Sequence, residues 1–122
     1  MSTIVSKAEV FATDLLTGNI DPRFLYHNLR HTQRVVESTK ELIEGENISD
    51  EESEQLLVAA WFHDLGYTKS YTDHEEQSCL LVKDFLAEYK ISVSFSEVVC
   101  SLIMATKKNY EPVNELEKII RD

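Results

Sequence analysis

Only three glycines and two prolines interrupt 122 residues. A β-sandwich needs many turns, and turns consume these two residue types. So few of them fit long helices with short connections. The apolar pattern agrees. Ile4, Ala8, Phe11, Ala12 and Leu15 recur at helical spacing over 3–16, and Gly18 is the expected stop. DPRF at 21–24 reads as a turn. From about Asn28 to Glu44, Leu29, Thr32, Val35, Val36, Thr39, Leu42 and Ile43 return every three or four residues, and Gly45 follows.

Capping signatures divide the rest. Ser49-Asp-Glu-Glu52 opens a helix that runs through LLVAAWFHD and ends at Gly66. Thr72-Asp-His-Glu75 opens one carrying Leu81, Val82, Phe85, Leu86 and Tyr89. Ser94-Phe-Ser-Glu97 opens one with Val98, Val99, Leu102 and Ile103, and Asn114-Glu-Leu-Glu117 a last one with Leu116, Ile119 and Ile120. The nearest approach to a strand, KISVSFS at 90–96, is better explained as loop plus cap. The expected fold is all-α, a compact single-domain bundle of about six helices over residues 1–122.

Charge and cysteine usage narrow the class. Twelve Lys and Arg against 22 Asp and Glu give a net charge of −10. This argues against a nucleic-acid-binding surface, and a phosphate-bearing substrate then needs a local positive centre. The acidic stretch EGENISDEESE at 44–54 is read as a solvated loop and helix start. Cys79 and Cys100 lie in apolar-periodic stretches with no C-x-x-C, as expected of buried thiols in a reducing compartment. The start, MSTIVSKAEVF, lacks the marks of a signal peptide, and no apolar run approaches a membrane span, so a cytoplasmic location is expected.

Two stretches could carry chemistry. In YHNLRHT at 26–32, His27 and His31 stand four apart, so one helix face carries two imidazoles. They either fill space in a core or await a proton or a metal. His63-Asp64 follows AAWF at the end of a very apolar helix. A carboxylate there is costly unless it is paired, hydrogen-bonded or bound to a metal. An arginine partner would resolve it, with His63 filling the core. A divalent cation would resolve it too, because imidazole and carboxylate oxygen are standard ligands.

The order His31-Thr-Gln-Arg-Val35, then His63-Asp64-Leu-Gly66, then Asp122 in KIIRD resembles the HD-domain superfamily of metal-dependent phosphohydrolases. YHNLRHTQRV is also similar to the signature of class I cyclic-nucleotide phosphodiesterases, and HDLGY followed by HEEQS to small bacterial HD proteins. The resemblance implies that His31, His63, Asp64 and Asp122 hold a divalent ion (Mn, Fe, Mg, Ni or Zn). It implies that His27 protonates the leaving oxygen, while the ligand types themselves would let Asp64 take a proton from the attacking water through its other oxygen. His74 and Glu75 match a position that serves as second-metal ligand, substrate contact or plain helix start. Lys107, Lys108, Arg30 and Arg34 are candidates to neutralise phosphate oxygens, with Lys107 the best placed. The implied activity is hydrolysis of a phosphomonoester or phosphodiester, with a nucleotide as partner. The alternatives are a non-catalytic regulatory module that keeps the pocket for a nucleotide or metal, and a di-iron oxygenase. Dimerisation is left open. Family members usually continue for several turns past their last aspartate, so the chain reads either as truncated at its C-terminus or as naturally shortened there, and a ligand on a final residue frays easily.

Overall fold

The computed structural model describes residues 3–19, 22–68, 73–107, 111–112 and 114–121, with the side chains of residues 19–28, 67–68, 115 and 121 outside the description. Six helices follow one another: α1 (Thr3–Asn19), α2 (Pro22–Glu44), α3 (Asp50–Phe62), α4 (His74–Glu88), α5 (Val93–Met104) and α6 (Glu115–Arg121), with a 3-10 turn at Leu65–Thr68 after α3. No strand occurs among the described residues. The all-α expectation stands.

Helix α3 organises the molecule. Every residue from Gln55 to Phe62 is buried, and from Leu56 onward all are apolar, so this half of the helix needs neighbours on all sides. It has them, packing against α1, α2, α4, α5 and α6. Phe62 stacks on Phe11 of α1 with ring centroids 5.4 Å apart and meets Phe85 of α4 at 5.0 Å. Helices α4 and α5 form an antiparallel pair with the most extensive helix–helix contact in the fold. No described helix is long and apolar enough to cross a membrane.

The helix boundaries reveal where local signals compete. The Ser49 capping box forms as read, with Glu52 N–H donating to Ser49 Oγ and Ser49 N–H to Glu52 Oε1. Asn114 caps α6 through Glu117 N–H, at 2.9 Å. Three expectations are corrected. Pro22 opens α2 rather than a turn, because its fixed φ suits the first helical position, where no N–H is required. Helix α5 starts at Ser92, whose hydroxyl accepts from Phe95 N–H, and Ser94 lies inside its first turn. Helix α3 stops at Phe62, short of Gly66. The α4 start differs as well. Asp73 stands at its N-cap with no side-chain capping bond, and His74 pairs with Glu75, while Thr72 lies outside the described residues.

Candidate metal centre

The end of α3 is the floor of the site. His63 keeps helical backbone angles as the last cap residue, and Asp64 follows it. The His63 ring is buried, and its Nδ1–H donates to the Ala60 carbonyl oxygen at 2.7 Å. A carbonyl only accepts, so this bond assigns the proton to Nδ1. The neutral ring then presents a bare Nε2 lone pair, and that atom lies 3.2 Å from Asp64 Oδ2. Two acceptors do not sit this close unaided. Either a second proton on His63 or a cation must lie between them.

Helix α2 brings in the third group. His31 Nε2 lies 3.1 Å from the same Asp64 Oδ2. The ligand atoms of His31, His63 and Asp64 all fall within 4.8 Å of one another. A divalent ion with ligand bonds of about 2.0–2.2 Å spaces neighbouring ligands about 3.0–3.4 Å apart in octahedral or tetrahedral geometry. The two short distances match that spacing. The Nδ1 bond to Ala60 is the kind of outer contact that fixes the tautomer of a metal-binding histidine. The residues present therefore fit a divalent cation.

The electrostatics point the same way. Burial works against charge on the His63 ring, yet its bond and charge contact with Asp64 hold its pKa above the ordinary value. Burial likewise opposes ionisation of Asp64, but the hydrogen bond from His63 and the nearby His31 and His74 hold its carboxyl below the usual range. The Asp64 carboxylate thus favours positive charge beside it, either a proton on His63 or a cation. Asp64 has a 12% exposed side chain and His31 a 55% exposed one, so access is from the α2 side.

His74 and Glu75, at the start of α4, border the cluster. His74 Nε2 lies 3.5 Å from Asp64 Oδ1 and 2.9 Å from Glu75 Oε2, and Glu75 is buried. His74 thus meets the other oxygen of Asp64, and Glu75 backs His74 and acts on the charge of His63. Lys107 pairs with Glu76 at 3.2 Å, which holds it beside the first turn of α4. Arg34 lines a cavity of about 210 Å³ between α2 and α6 together with His31, Val35, Leu42, Ile119 and Ile120. Helix α2 runs unbroken through positions 27 and 31. The side chain of His27, and Asp122 and Lys108 entirely, lie outside the described residues.

Ser78 was not singled out from the sequence. Its hydroxyl accepts from Gly66 N–H at 2.8 Å and donates to the His63 carbonyl at 3.0 Å. One fully buried serine thus ties α4 to the turn that carries His63 and Asp64. Gly66 is demanded by space. A Cβ there would overlap the His74 carbonyl oxygen. The glycine of HDLG lets the start of α4 rest directly on the backbone of the turn.

The model of the HD domain family matches residues 28–122, more than three-quarters of the chain. The chain belongs to the HD domain family. HD domains bind divalent metals, are commonly metal-dependent hydrolases, and point to the metal-dependent phosphohydrolase superfamily. The chain's one His-Asp dipeptide, His63-Asp64, lies inside the matched residues. No curated protein and no solved structure gives a match.

Proposed function

We propose that this HD domain is a metal-dependent phosphohydrolase acting on a small phosphomonoester or phosphodiester, a nucleotide being the leading class. One observation carries the reading. His31 Nε2 and His63 Nε2 converge on Asp64 Oδ2 at 3.1 and 3.2 Å, with the His63 lone pair aimed by the Ala60 bond.

His31, His63 and Asp64 would hold the ion, with Asp122 as the fourth ligand implied by the family pattern. When bound, such an ion supplies Lewis acidity and lowers the pKa of water from about 15.7 to as little as about 7. The chain's own residues do the rest. Asp64 Oδ1 takes a proton from the attacking water, and His74 Nε2 beside it steadies the carboxylate. Arg34, on the cavity wall shared with His31, is placed to meet a phosphate oxygen. Lys107 offers a second cation, held in reserve by Glu76. His27, one helical turn before His31, protonates the leaving oxygen. With a net charge of −10, these local cations give a phosphate its positive centre.

The test loads chelator-free protein with Mn, Fe, Zn, Ni or Mg and assays p-nitrophenyl phosphate, bis-p-nitrophenyl phosphate and a nucleotide panel. Turnover that requires the metal is the expected result. His63→Ala and Asp64→Asn should lose both metal and turnover while circular dichroism stays helical, since the packing of α3 rests on Leu57, Val58, Trp61 and Phe62. Full metal stoichiometry in either variant overturns the ligand assignment. Stoichiometric metal with nucleotide binding but no turnover makes the domain a regulatory module.

A further inference from the structure

The two cysteines, 21 positions apart in the chain, meet across the α4–α5 pair. Cys79 Sγ donates to the Cys100 carbonyl oxygen over 3.6 Å, and Cys100 Sγ donates to the Cys79 carbonyl oxygen over 3.8 Å. The reciprocity matters. Each sulfur reaches the backbone of the opposite residue, so the two side chains share one gap between the helices. Both are free cysteines.

We propose that Cys79 and Cys100 form a peroxide-sensitive redox site, in which Cys100 is oxidised first and Cys79 resolves it to an intramolecular disulfide joining α4 to α5. The division of labour follows from exposure. Cys100 is partly exposed, whereas Cys79 is only 9% exposed. An oxidant reaches Cys100 first.

The two thiols also influence each other's ionisation. Cys79 holds the Cys100 thiol below its ordinary value, burial opposes this, Lys83 adds to it and Glu97 subtracts. Cys100 in turn, then burial, push the Cys79 thiol up. The order of reaction rests on exposure. Thiolate is the reactive form.

The chemistry balances with a hydroperoxide as oxidant. Cys100 thiolate attacks one peroxide oxygen, an S–O bond forms, the O–O bond breaks, and hydroxide leaves to be protonated to water. Cys79 sulfur then attacks the Cys100 sulfenic acid. The S–S bond forms, the S–O bond breaks, and the departing hydroxide takes the Cys79 proton as a second water. The two sulfurs lose two electrons, which reduce the peroxide. A disulfide needs Cα atoms about 4.4–6.8 Å apart. Each sulfur lies 3.6–3.8 Å from the opposite residue's backbone, the kind of close approach across the helix pair that such a link requires. The site lies one turn past Glu75 on α4 and stands independently of the metal reading.

Treating the full chain with stoichiometric hydrogen peroxide, blocking with N-ethylmaleimide and mapping peptides without reduction tests this. The expected product is a monomer that has lost two hydrogens, linked Cys79 to Cys100 and reopened by dithiothreitol. C79S should trap a dimedone adduct on Cys100, and C100S should label Cys79 at least about tenfold more slowly. Wild-type chain that accumulates sulfinic Cys100 without the link, or links only between chains, overturns the proposal. Equal labelling in the two variants overturns the assigned order. The wild-type peptide map decides on the link alone, should either serine variant pack poorly.

Discussion

Ser78 holds the His63 carbonyl through a 3.0 Å hydrogen bond, although fifteen positions separate them in the chain. The same hydroxyl accepts from Gly66 N–H, so α4 and the turn after α3 are set by one buried oxygen. The metal cluster is only as well placed as that turn. Ser78→Ala strands a buried N–H and a buried carbonyl, which costs about 1–3 kcal/mol. It also frees the His63-Asp64 segment, and losing outer support of this kind lowers metal affinity about 10–100-fold. Thermal unfolding and a zinc titration measure the two effects. Unchanged metal affinity would show that the latch does not position the site.

Gly66→Ala strikes the same junction by sterics. Its Cβ would overlap the His74 carbonyl, and backbone cannot swing aside as a side chain can. The expected loss is at or above the upper end of the ~1–3 kcal/mol usual for overpacking. Chemical denaturation of the variant measures it. A loss under about 1 kcal/mol would mean that α4 can retreat from the turn without penalty.

These two residues mark the border between what the sequence discloses and what it hides. The Ser49 box and the Asn114 cap were legible because the bonding partners sit three residues apart. His31, His63 and Asp64 were legible because each stands at the inner edge or end of an apolar run, in an order that carries a family resemblance. The Ser78 latch spans two elements, and a lone serine in a helix gives no local sign of its partner. Gly66 was visible as part of HDLG, but its reason is the approach of α4, which no spacing encodes. Pro22 and Ser94 mislead because a proline suits both turns and helix starts, and because serines stand at both 92 and 94.

Lys90 offers a stability gain far from the cluster. It follows α4 with φ at 58°, in the left-handed region, and the helix closes there through Ile91 N–H to the Leu86 carbonyl and Lys90 N–H to the Ala87 carbonyl. Glycine is the natural residue at such a stop. Lys90→Gly removes a left-handed cost of roughly 1–2 kcal/mol and adds unfolded-state freedom worth about 0.4–1 kcal/mol. A net gain of about 0.5–1 kcal/mol is expected. A midpoint shift in urea, with the slope unchanged, reads it out. A loss of stability would show that the Lys90 side chain contributes more than its backbone costs.

The last prediction sets pH against metal. In the chelated chain the His63 pKa lies above its usual 6.5 and that of Asp64 below its usual 3.8. Protonated His63 therefore contributes stability that is fully present below about 6.5 and is lost as pH rises through the folded value. Ionised Asp64 contributes stability that is present above about 3.8 and is lost as pH falls through its depressed value. The metal-free chain should thus lose stability from pH 6 to 8. Loaded chain should do the opposite, because the ion binds the deprotonated Nε2 and competes with that same proton. Its added stability grows as RT ln(1 + [L]/Kd), and Kd falls as His63 deprotonates. The Tm difference between zinc-loaded and chelated protein, measured at fixed zinc from pH 6 to 8, should widen steadily. A gap that stays constant would mean that no proton is displaced on binding, and His63 would not be a ligand.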